Sequence, residues 1–571
     1  MKRHMHEEYF VVGEGMVGAG PDGSPTHRQA STVEEARSFR FSRLGAEGTG
    51  IDPVLLEALA VAMTATQPPD PDSANVPAGY TYLGQFVDHD LTKDVTAISL
   101  GTRVTVDELL QGRSPALDLD SLYGRGPHHE EDRQFYADAA KLKTGTTSTA
   151  GFPANDGAVA QPRQGFDLPR VGINSNNGQT QSQQRLPLIP DIRNDENLAV
   201  AQTHVAFIRF HNRVVDHLAE QGVADGRLFA TARDLVVRHY QWMLRTDFLP
   251  RIVDPAIVDD VFSNGRRVFE VGATYPEDRP TMPIEFSIAA FRLGHSMVRD
   301  NYEWNRVFSS AGPGNRAPLM FLFSFTGING IFQPVRDPLA LDNLDTGTVL
   351  TLPSNWIADF RRLYDFSAEG RPDLLPPAGG SNSAKRIDTR LVDPLGELPL
   401  GAFAGIGTEP ALIARNLAFR NLRRANMLRL ASGPDMATLM REKGLAIAGL
   451  TDAQILEGTG DGVNLSGLTD AQKATLVAST PLWFYILREA ELAGGKLSGV
   501  GGRIVAEVFH RAMEGSRSSI VRDPDWRPTL SPADHPGRFE MVDLLLFAAG
   551  GDAAVINPLG DVTPPVPVPQ P

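Results

Sequence analysis

Four short segments of the chain combine histidine, carboxylate, amide and arginine side chains at spacings that could serve chemistry. The first, TYLGQFVDHDLTKD, spans residues 81–94. On a helix that turns about 100° per residue, Gln85, Asp88 and His89 share one face, whereas Asp90 points away from it. Apolar residues interleave with these polar ones, so part of the surface must be buried, and buried ionisable groups need partners and often mark function. A polar surface helix is the alternative interpretation of this segment alone.

The second segment, RSPALDLDSLYGRG, spans residues 113–126 and repeats oxygen-bearing groups at alternate positions. An extended loop would present a hydroxyl, a carbonyl and two carboxylates on one side, from Ser114, Ala116, Asp118 and Asp120. Calcium prefers such an all-oxygen set of ligands, although the spacing is not that of an EF-hand. Taken alone, the segment is also compatible with a solvated acidic loop.

The third segment spans residues 189–218 and contains the start of a long amphipathic helix. Asn194 or Asp195 suits the N-cap position, with Glu196 in the first turn. Arg193 stands immediately before this start. The helix would therefore carry a cation and a carboxylate at its N-terminal end.

Histidines occur on two of the predicted helices. His204 and His211 are two turns apart on one face, and structural hydrogen bonding is favoured for them because no carboxylate lies between them at ligand spacing. Residues 286–304, FSIAAFRLGHSMVRDNYEW, place His295 in an otherwise apolar helical stripe. Such a histidine is either a hydrogen-bonded core residue or the axial ligand of a cofactor that lies against that face.

These segments require long helices to position them, and helical periodicity dominates the chain. We expect a mainly α-helical fold, with a single large catalytic domain, long loops and little β structure. The 571 residues divide into an irregular N-terminal arm (1–74), a catalytic domain (75–545) and a Pro-rich tail (546–571). Helical periodicity occurs near Tyr82 and at 197–221, 227–247, 284–299, 354–364, 408–431, 434–445 and 480–515.

Composition and charge exclude several classes of protein. Apolar residues make up 42% of the chain, enough for a large core, and 54 basic against 69 acidic residues give a net charge of −15. This acidic balance argues against a general nucleic-acid binder. The absence of cysteine excludes disulfides and thiolate metal sites, and no apolar stretch is long enough to predict a transmembrane segment. The N-terminus shows no apolar signal region, which predicts a cytoplasmic protein or one exported by a non-Sec route.

Four segments, taken in chain order, resemble the animal-type haem peroxidases of the peroxidase–cyclooxygenase superfamily, and especially its bacterial members. They are GQFVDHD, ALDLDSLYG, IRNDENLAVAQTHVAFIRFHNRVV and FRLGHSMV. The resemblance covers roughly residues 75–525, including 421–433 and 480–492. It implies a haem-dependent peroxidase that reduces hydrogen peroxide and oxidises small organic donors, halides or thiocyanate through an oxoferryl intermediate. It also implies a role in the response to oxidative stress.

The resemblance assigns roles to five residues. His89 matches the distal histidine, which moves the peroxide proton to the departing oxygen. Gln85 matches the glutamine that holds the pocket water or halide, and Arg193 the arginine that stabilises developing negative charge. His295 resembles the proximal iron ligand, with Asn421 as the partner that orients its imidazole.

The resemblance also implies covalent and metal contacts. Asp88 and Glu196 match the carboxylates that esterify haem b methyl groups in this superfamily. The next residue is Asn197, where myeloperoxidase has a methionine linked through sulfur, so that third bond is absent. The residues that match the calcium site are Asp90, Ser114, Ala116 (through its carbonyl), Asp118 and Asp120.

Two alternatives remain open from the sequence. The superfamily includes haem-dependent fatty-acid dioxygenases, which commonly place a radical-forming tyrosine three residues before the proximal histidine. Arg292 occupies that position here, and Tyr302 lies seven residues downstream of His295, so a peroxidase is favoured. The second alternative is a non-enzymatic adhesion-type module or helical scaffold without cofactor.

Overall fold

The computed structural model describes residues 8–11, 15–19, 25–28, 40–66, 71–94, 96, 100–150, 161–173, 178–273, 275, 278–334, 344–398 and 412–561. Within these ranges the chain is mainly helical with little β structure, as the sequence predicts. No helix in this part of the chain combines the length and the hydrophobicity that crossing a lipid bilayer requires. Much of the predicted N-terminal arm and residues 562–571 of the predicted tail lie outside the described residues.

The α-helices of the described residues are numbered α1 to α18 in chain order. They are Pro53–Met63, Gly79–Leu91, Asp120–Tyr123, Gln181–Arg185, Leu198–Glu220, Asp225–Met243, Leu249–Ile252, Pro255–Asn264, Gly294–Met297, Leu319–Ser324, Leu417–Met427, Gly433–Glu442, Asp452–Glu457, Asp470–Ala478, Leu482–Leu492, Gly499–Gly515, Met541–Ala548 and Ala553–Ile556.

The strands are short and are numbered β1 to β11. They are Glu8–Val11, Gly15–Ala19, Pro25–Arg28, Phe41–Ser42, Asp72–Pro77, Gly145–Thr146, Gln164–Asp167, Met282–Pro283, Asn301–Tyr302, Ala317–Pro318 and Ser383–Lys385. The first three form an antiparallel sheet, and the others form the two-stranded pairs β4–β8, β5–β11, β6–β7 and β9–β10. Only β4–β8 is parallel among these pairs. Each pair therefore holds two short segments of the chain together, and none forms a layer of the fold.

The long helix α5 lies at the centre of the core. It packs against α2, α6 and α17, and its inward residues are buried over six turns. Its N-cap is Asn197, whose side-chain oxygen accepts a hydrogen bond from the backbone N–H of Val200 at 3.0 Å. The sequence-based choice of Asn194 or Asp195 as N-cap is therefore wrong, because both residues lie in a preceding 3-10 turn, Ile192–Asp195.

The segment before His295 is helical, but it is not a regular α-helix. A π-helical turn, Glu285–Ala289, passes into a 3-10 turn, Ala290–Leu293, and then into α9. A second π-helical turn, Leu244–Phe248, continues α6. Such changes of helical pitch are frequent at functional sites. The remaining 3-10 turns are Val106–Glu108, Asp132–Phe135, Ser354–Trp356, Phe360–Arg362, Ser367–Glu369, Pro372–Leu374, Asp393–Gly396 and Leu412–Arg415.

Candidate active site

A cavity of about 320 Å³ lies between α2 and α9, which pack against each other. His89 of α2 and His295 of α9 both line it. Gln85, Asp88 and Glu196 line the same cavity, so the structure brings together residues from three of the four segments that the sequence singles out. Apolar side chains form much of the remaining wall.

His295 is held by a side-chain amide of the neighbouring helix α11. The Asn421 amide nitrogen lies 2.7 Å from Nδ1 of His295. An amide nitrogen only donates, so in this orientation Nδ1 accepts the hydrogen bond and the neutral ring carries its proton on Nε2. When the amide is turned so that its oxygen accepts from Nδ1–H, Nε2 keeps the lone pair that ligates a metal. Burial, together with the nearby Arg292 guanidinium, lowers the pKa of His295 to about 3, so the imidazole is neutral, as a metal ligand must be.

His89 is held by a chain of two further side chains. Its Nδ1 lies 2.9 Å from Oδ1 of Asn194, and Nδ2 of Asn194 lies 2.9 Å from Nδ1 of His204. An amide oxygen only accepts hydrogen bonds, so Nδ1 of His89 carries the proton and Nε2 carries the lone pair. Burial lowers the pKa of His204 to about 3, so this end of the chain is neutral. Neither Asn194 nor His204 was assigned a role in this site from the sequence.

Gln85 contacts the residue that caps α5. Nδ2 of Asn197 donates to Oε1 of Gln85 at 2.7 Å, while the Asn197 side-chain oxygen caps the helix. Both polar ends of the Asn197 amide are thus engaged. The Gln85 carbonyl is occupied as an acceptor, and its NH₂ group is the end that can donate to a water or an anion.

Arg193 lies behind His89 and is not one of the described residues that line the cavity. Its guanidinium donates to both carboxylate oxygens of Asp191, at 3.0 and 2.7 Å, and to the backbone carbonyl of His89 at 3.0 Å. Its role in stabilising negative charge stays a prediction. Its guanidinium contacts the backbone of His89 and does not line the cavity, so it would act on the cavity indirectly.

Asp191 is a buried carboxylate surrounded by cations, and sequence reasoning missed it. Besides Arg193, Arg113 donates to it at 2.6 and 2.9 Å, and Nζ of Lys93 lies 3.8 Å away. These charges hold the pKa of Asp191 well below its usual range despite its burial. Burial lowers the pKa of Lys93 to about 7. The sequence gives only a weak indication that Asp191 belongs to the site, since a carboxylate two residues before an arginine is common.

The two carboxylates predicted to esterify haem lie in the cavity wall. Asp88 accepts a hydrogen bond from Oγ1 of Thr92 at 3.1 Å, and burial raises its pKa although Arg292 and Arg193 oppose the shift. Oε2 of Glu196 lies 3.9 Å from Nε2 of His89. Their positions are compatible with the predicted ester bonds, which stay predictions.

Asp90 points away from the cavity toward a second cluster. One carboxylate oxygen from each of Asp90, Asp118 and Asp120 falls within 4.8 Å of the others. Asp118 and Asp120 each keep one buried oxygen without a hydrogen-bond partner among the described residues. Burial raises the pKa of all three, that of Asp118 to about 7, and mutual repulsion adds to this for Asp90 and Asp118.

The loop that carries this cluster is not extended throughout, contrary to the sequence-based expectation. Leu119 adopts the left-handed conformation (φ 58°), and α3 begins at Asp120. The Ser114 backbone N–H donates to Asp120 at 3.2 Å, and the Ala116 carbonyl accepts from the Asp118 N–H at 3.1 Å. The reversal at Leu119 still leaves both aspartates facing Asp90.

His211 lies outside the cavity wall and is hydrogen-bonded within the core, as predicted. Its Nδ1 bonds the hydroxyl of Tyr123 at 3.0 Å, and its Nε2 bonds the carbonyl of Ala140 at 2.7 Å. Both ring nitrogens are thus occupied by structural contacts.

Comparison with known proteins matches part of the chain to a family. The family model "animal haem peroxidase" matches residues 90–323, which contain Arg193, Glu196 and His295 but begin just after His89 and end before Asn421. The peroxidasin homolog pxn-2 of Caenorhabditis elegans is 24% identical over 217 residues, which are 37% of this chain and 15% of that protein. Mouse (Mus musculus) myeloperoxidase is 25% identical over 199 residues, 34% of this chain and 27% of that protein. The chain thus spans only a small part of the length of these relatives.

The fold is similar to that of a solved dioxygenase structure. The crystal structure of fatty acid alpha-dioxygenase from Arabidopsis thaliana superposes with a TM-score of 0.56 and 13% sequence identity, covering 94% of this chain and 82% of that one. At this identity the similarity concerns the fold alone. The animal haem peroxidase model therefore matches residues 90–323, and the structural similarity extends the likeness of the fold over most of the chain.

Proposed function

We propose that the protein is a haem-dependent peroxidase that reduces hydrogen peroxide and oxidises small organic donors, halides or thiocyanate. One observation carries the proposal: His89 and His295 line a single cavity, and an asparagine engages Nδ1 of each. His89, whose Nδ1–H donates to an amide oxygen, is thereby prepared as a base through Nε2. His295 becomes a ligand through Nε2 when the Asn421 amide presents its oxygen to Nδ1–H. The match of residues 90–323 to the animal haem peroxidase model supports haem as the cofactor.

The cavity wall has the chemistry that a haem needs. A haem is a flat apolar ring that carries two carboxylates at its edge. Two guanidinium groups, those of Arg292 and Arg420, share the wall with apolar side chains that include Phe291, Leu398 and Leu417. His295 would hold the iron, and we propose that Asp88 and Glu196 are the residues that would form ester bonds to haem b.

When bound, haem supplies the iron-centred redox chemistry. His89 handles the protons, since its Nε2 accepts a proton from one peroxide oxygen and returns it to the oxygen that leaves as water. The NH₂ group of Gln85 is suited to hold a water or a halide beside this base, because its carbonyl is occupied by Asn197. The one-turn spacing of Gln85 and His89 on α2 keeps both groups on the same side of the cavity.

Arg193 contributes through His89. Its guanidinium bonds the His89 carbonyl and therefore fixes the end of α2 that carries the base. Its positive charge also favours negative charge that develops in the cavity, at a longer range than direct contact would give. Asp191 holds the guanidinium in this place.

We also propose that calcium binds to Asp90, Asp118 and Asp120, completed by Ser114 and the Ala116 carbonyl. The two buried carboxylate oxygens without partners support this, because three clustered carboxylates need compensating positive charge. Asp90 follows His89 directly on α2, so a bound cation would fix the orientation of the helix end that carries the base.

The proposed function is tested with protein expressed with supplemented haem. We expect a Soret absorption band that His295→Ala abolishes and that the control His128→Ala, at an exposed histidine, preserves. Peroxide-dependent oxidation of a phenol such as guaiacol should accompany the band. Acid–acetone extraction then tests the esters, since haem held through Asp88 or Glu196 resists extraction.

Three outcomes would contradict parts of this proposal. Absence of a Soret band in the wild-type protein would refute haem binding. A band that survives in His295→Ala would refute the ligand assignment. Oxygenation of a fatty acid without peroxide-dependent phenol oxidation would support the alternative, a fatty-acid dioxygenase of the same superfamily.

A further inference from the structure

A second chemical group in the cavity wall is a phenol paired with a buried carboxylate. Tyr80 of α2 lines the same cavity as His89 and His295, and only 2% of its surface is exposed. Its hydroxyl donates to both oxygens of Asp247, at 2.7 and 2.9 Å. Burial and the negative charge of Asp247 raise the pKa of Tyr80 well above its usual value, so the phenol retains its proton until it is oxidised.

Asp247 is held firmly as the acceptor of this hydrogen bond. The Arg251 guanidinium donates to it at 2.6 Å, and the backbone N–H of Met541 donates to it at 3.0 Å. It lies in the π-helical turn Leu244–Phe248, which also places Phe248 in the cavity wall. This widened turn thus lets one short segment line the cavity and present a carboxylate to the phenol.

A neighbouring tyrosine shows what is special about this pair. Tyr82 lies on the same helix, is also buried and also lines the cavity. Its hydroxyl donates at 2.7 Å to the hydroxyl of Tyr302, which also accepts from the Arg299 N–H at 2.9 Å. A neutral phenol is a far weaker base than a carboxylate. Tyr80 therefore has a proton acceptor that Tyr82 lacks.

We infer that Tyr80 is a redox-active residue, which gives one electron to haem oxidised by hydrogen peroxide while its phenolic proton moves to Asp247. This inference rests on the proposed peroxidase function. The O–H bond of Tyr80 breaks, an O–H bond forms on Asp247, and the oxidised haem is reduced by one electron. The product is a neutral phenoxyl radical hydrogen-bonded to the protonated carboxyl group.

The pair returns to its starting state when an external one-electron organic reductant supplies an electron and Asp247 returns the proton. Arg251, which contacts Asp247 and lies over the Tyr80 ring at 4.4 Å, has a side chain that is 29% exposed. The phenol is therefore near a surface from which an organic donor too large for the cavity could be oxidised. Through Tyr80, the protein oxidises organic donors that are too large to enter the cavity.

The test uses the haem-loaded protein mixed with hydrogen peroxide, frozen within milliseconds and examined by electron paramagnetic resonance. We expect a phenoxyl radical signal in the wild-type protein, less than a tenth of it in Tyr80→Phe, and full retention in the matched control Tyr82→Phe. Asp247→Asn keeps the phenol but removes the base, so the radical yield should fall several-fold. Spin trapping followed by peptide sequencing in the wild-type protein should place the adduct on Tyr80.

Peroxide consumption and the Soret band are recorded in the same samples. A radical signal that is unchanged in Tyr80→Phe, or an adduct that maps to another residue, would overturn the inference while leaving the peroxidase function intact. Peroxide consumption without any phenoxyl radical would do the same. Failure of the wild-type protein to consume peroxide would overturn both proposals.

Discussion

Oδ1 of Asn194 accepts a hydrogen bond from Nδ1 of His89 at 2.9 Å, and this contact determines which nitrogen of the imidazole can act as a base. Asn194 is itself oriented by His204, a neutral histidine two turns into α5. The proton-handling group on α2 is therefore positioned by the helix that forms the centre of the core. Any movement of α5 against α2 would change the tautomer or the direction of His89.

We expect Asn194→Ala to lower kcat/KM for hydrogen peroxide by about 10–100-fold, the usual cost of losing a residue that orients a reactive imidazole. The pH dependence of this rate should also shift, because Nδ1 loses its acceptor and the proton is no longer confined to it. Asn194→Asp, which keeps an oxygen acceptor, should recover most of the rate. Stopped-flow measurement of the reaction with peroxide across pH values tests this.

The control for this experiment is Asn264→Ala, at an exposed amide near the end of α8. It should leave both the rate and its pH profile unchanged. A rate loss in Asn194→Ala without any change of pH profile would show that Asn194 has a structural role only.

Asn421 gives a second prediction, on the opposite side of the cavity. Without its contact at 2.7 Å, the His295 ring loses its fixed orientation. We expect Asn421→Ala to weaken haem retention by about 10–100-fold, as for other residues that orient metal ligands. Asn421→Asp presents only oxygen acceptors to Nδ1–H, the arrangement that leaves Nε2 able to ligate iron, and we expect it to retain haem. The rate of haem transfer to an excess of apomyoglobin measures the effect in protein that carries Asp88→Asn and Glu196→Gln and so forms no ester bonds. Equal rates with and without Asn421→Ala in that background would contradict the prediction.

Local patterns predict the helices well and the partners of their side chains poorly. The 3.6-residue period correctly places Gln85, Asp88 and His89 on one face of α2, because that arrangement depends on a single helix. The contact between His89 and Asn194 joins residues more than 100 positions apart, so no local pattern contains it. Arg193 has its carboxylate partner Asp191 only two residues away, but the contact of its guanidinium with the His89 carbonyl again joins positions more than 100 residues apart.

The break between α15 and α16 shows a related limit of prediction from local patterns. The periodicity over 480–515 predicts one helix, whereas the chain forms α15 and α16 with a turn between them. Gly494 and Gly495 both adopt positive φ there, a conformation that glycine reaches at little cost. The apolar pattern continues across the turn because both helices pack on the same core, so the period alone does not reveal the break.

The carboxylate cluster gives a third prediction. Calcium should stabilise the folded protein, by about 2.7 kcal/mol at one hundred times its Kd, since a ligand that binds only the native state stabilises it by mass action. Chelation should lower the thermal unfolding midpoint, and Asp120→Asn should largely remove the calcium response. Differential scanning calorimetry with and without calcium measures this, with exposed Asp259→Asn as the control. An identical midpoint in calcium and in chelator would refute the site.

The buried Lys93 gives a prediction about pH. Its pKa falls from 10.5 to about 7 on folding, because burial disfavours the charged form. Between these two values the unfolded chain binds more protons than the folded one, so this residue makes the protein more stable as the pH rises from 7 toward 10.5. Below pH 7 the ammonium is charged in both states and the slope from this residue vanishes. Lys93→Met removes the effect, so the free energy of unfolding of the wild-type protein relative to this variant should increase over that range by up to about 5 kcal/mol.

Denaturant titrations at pH 7, 8, 9 and 10 measure the difference, with exposed Lys443→Met as a control that should show no such slope. A difference between wild type and Lys93→Met that stays constant with pH would show that Lys93 remains charged beside Asp191 throughout.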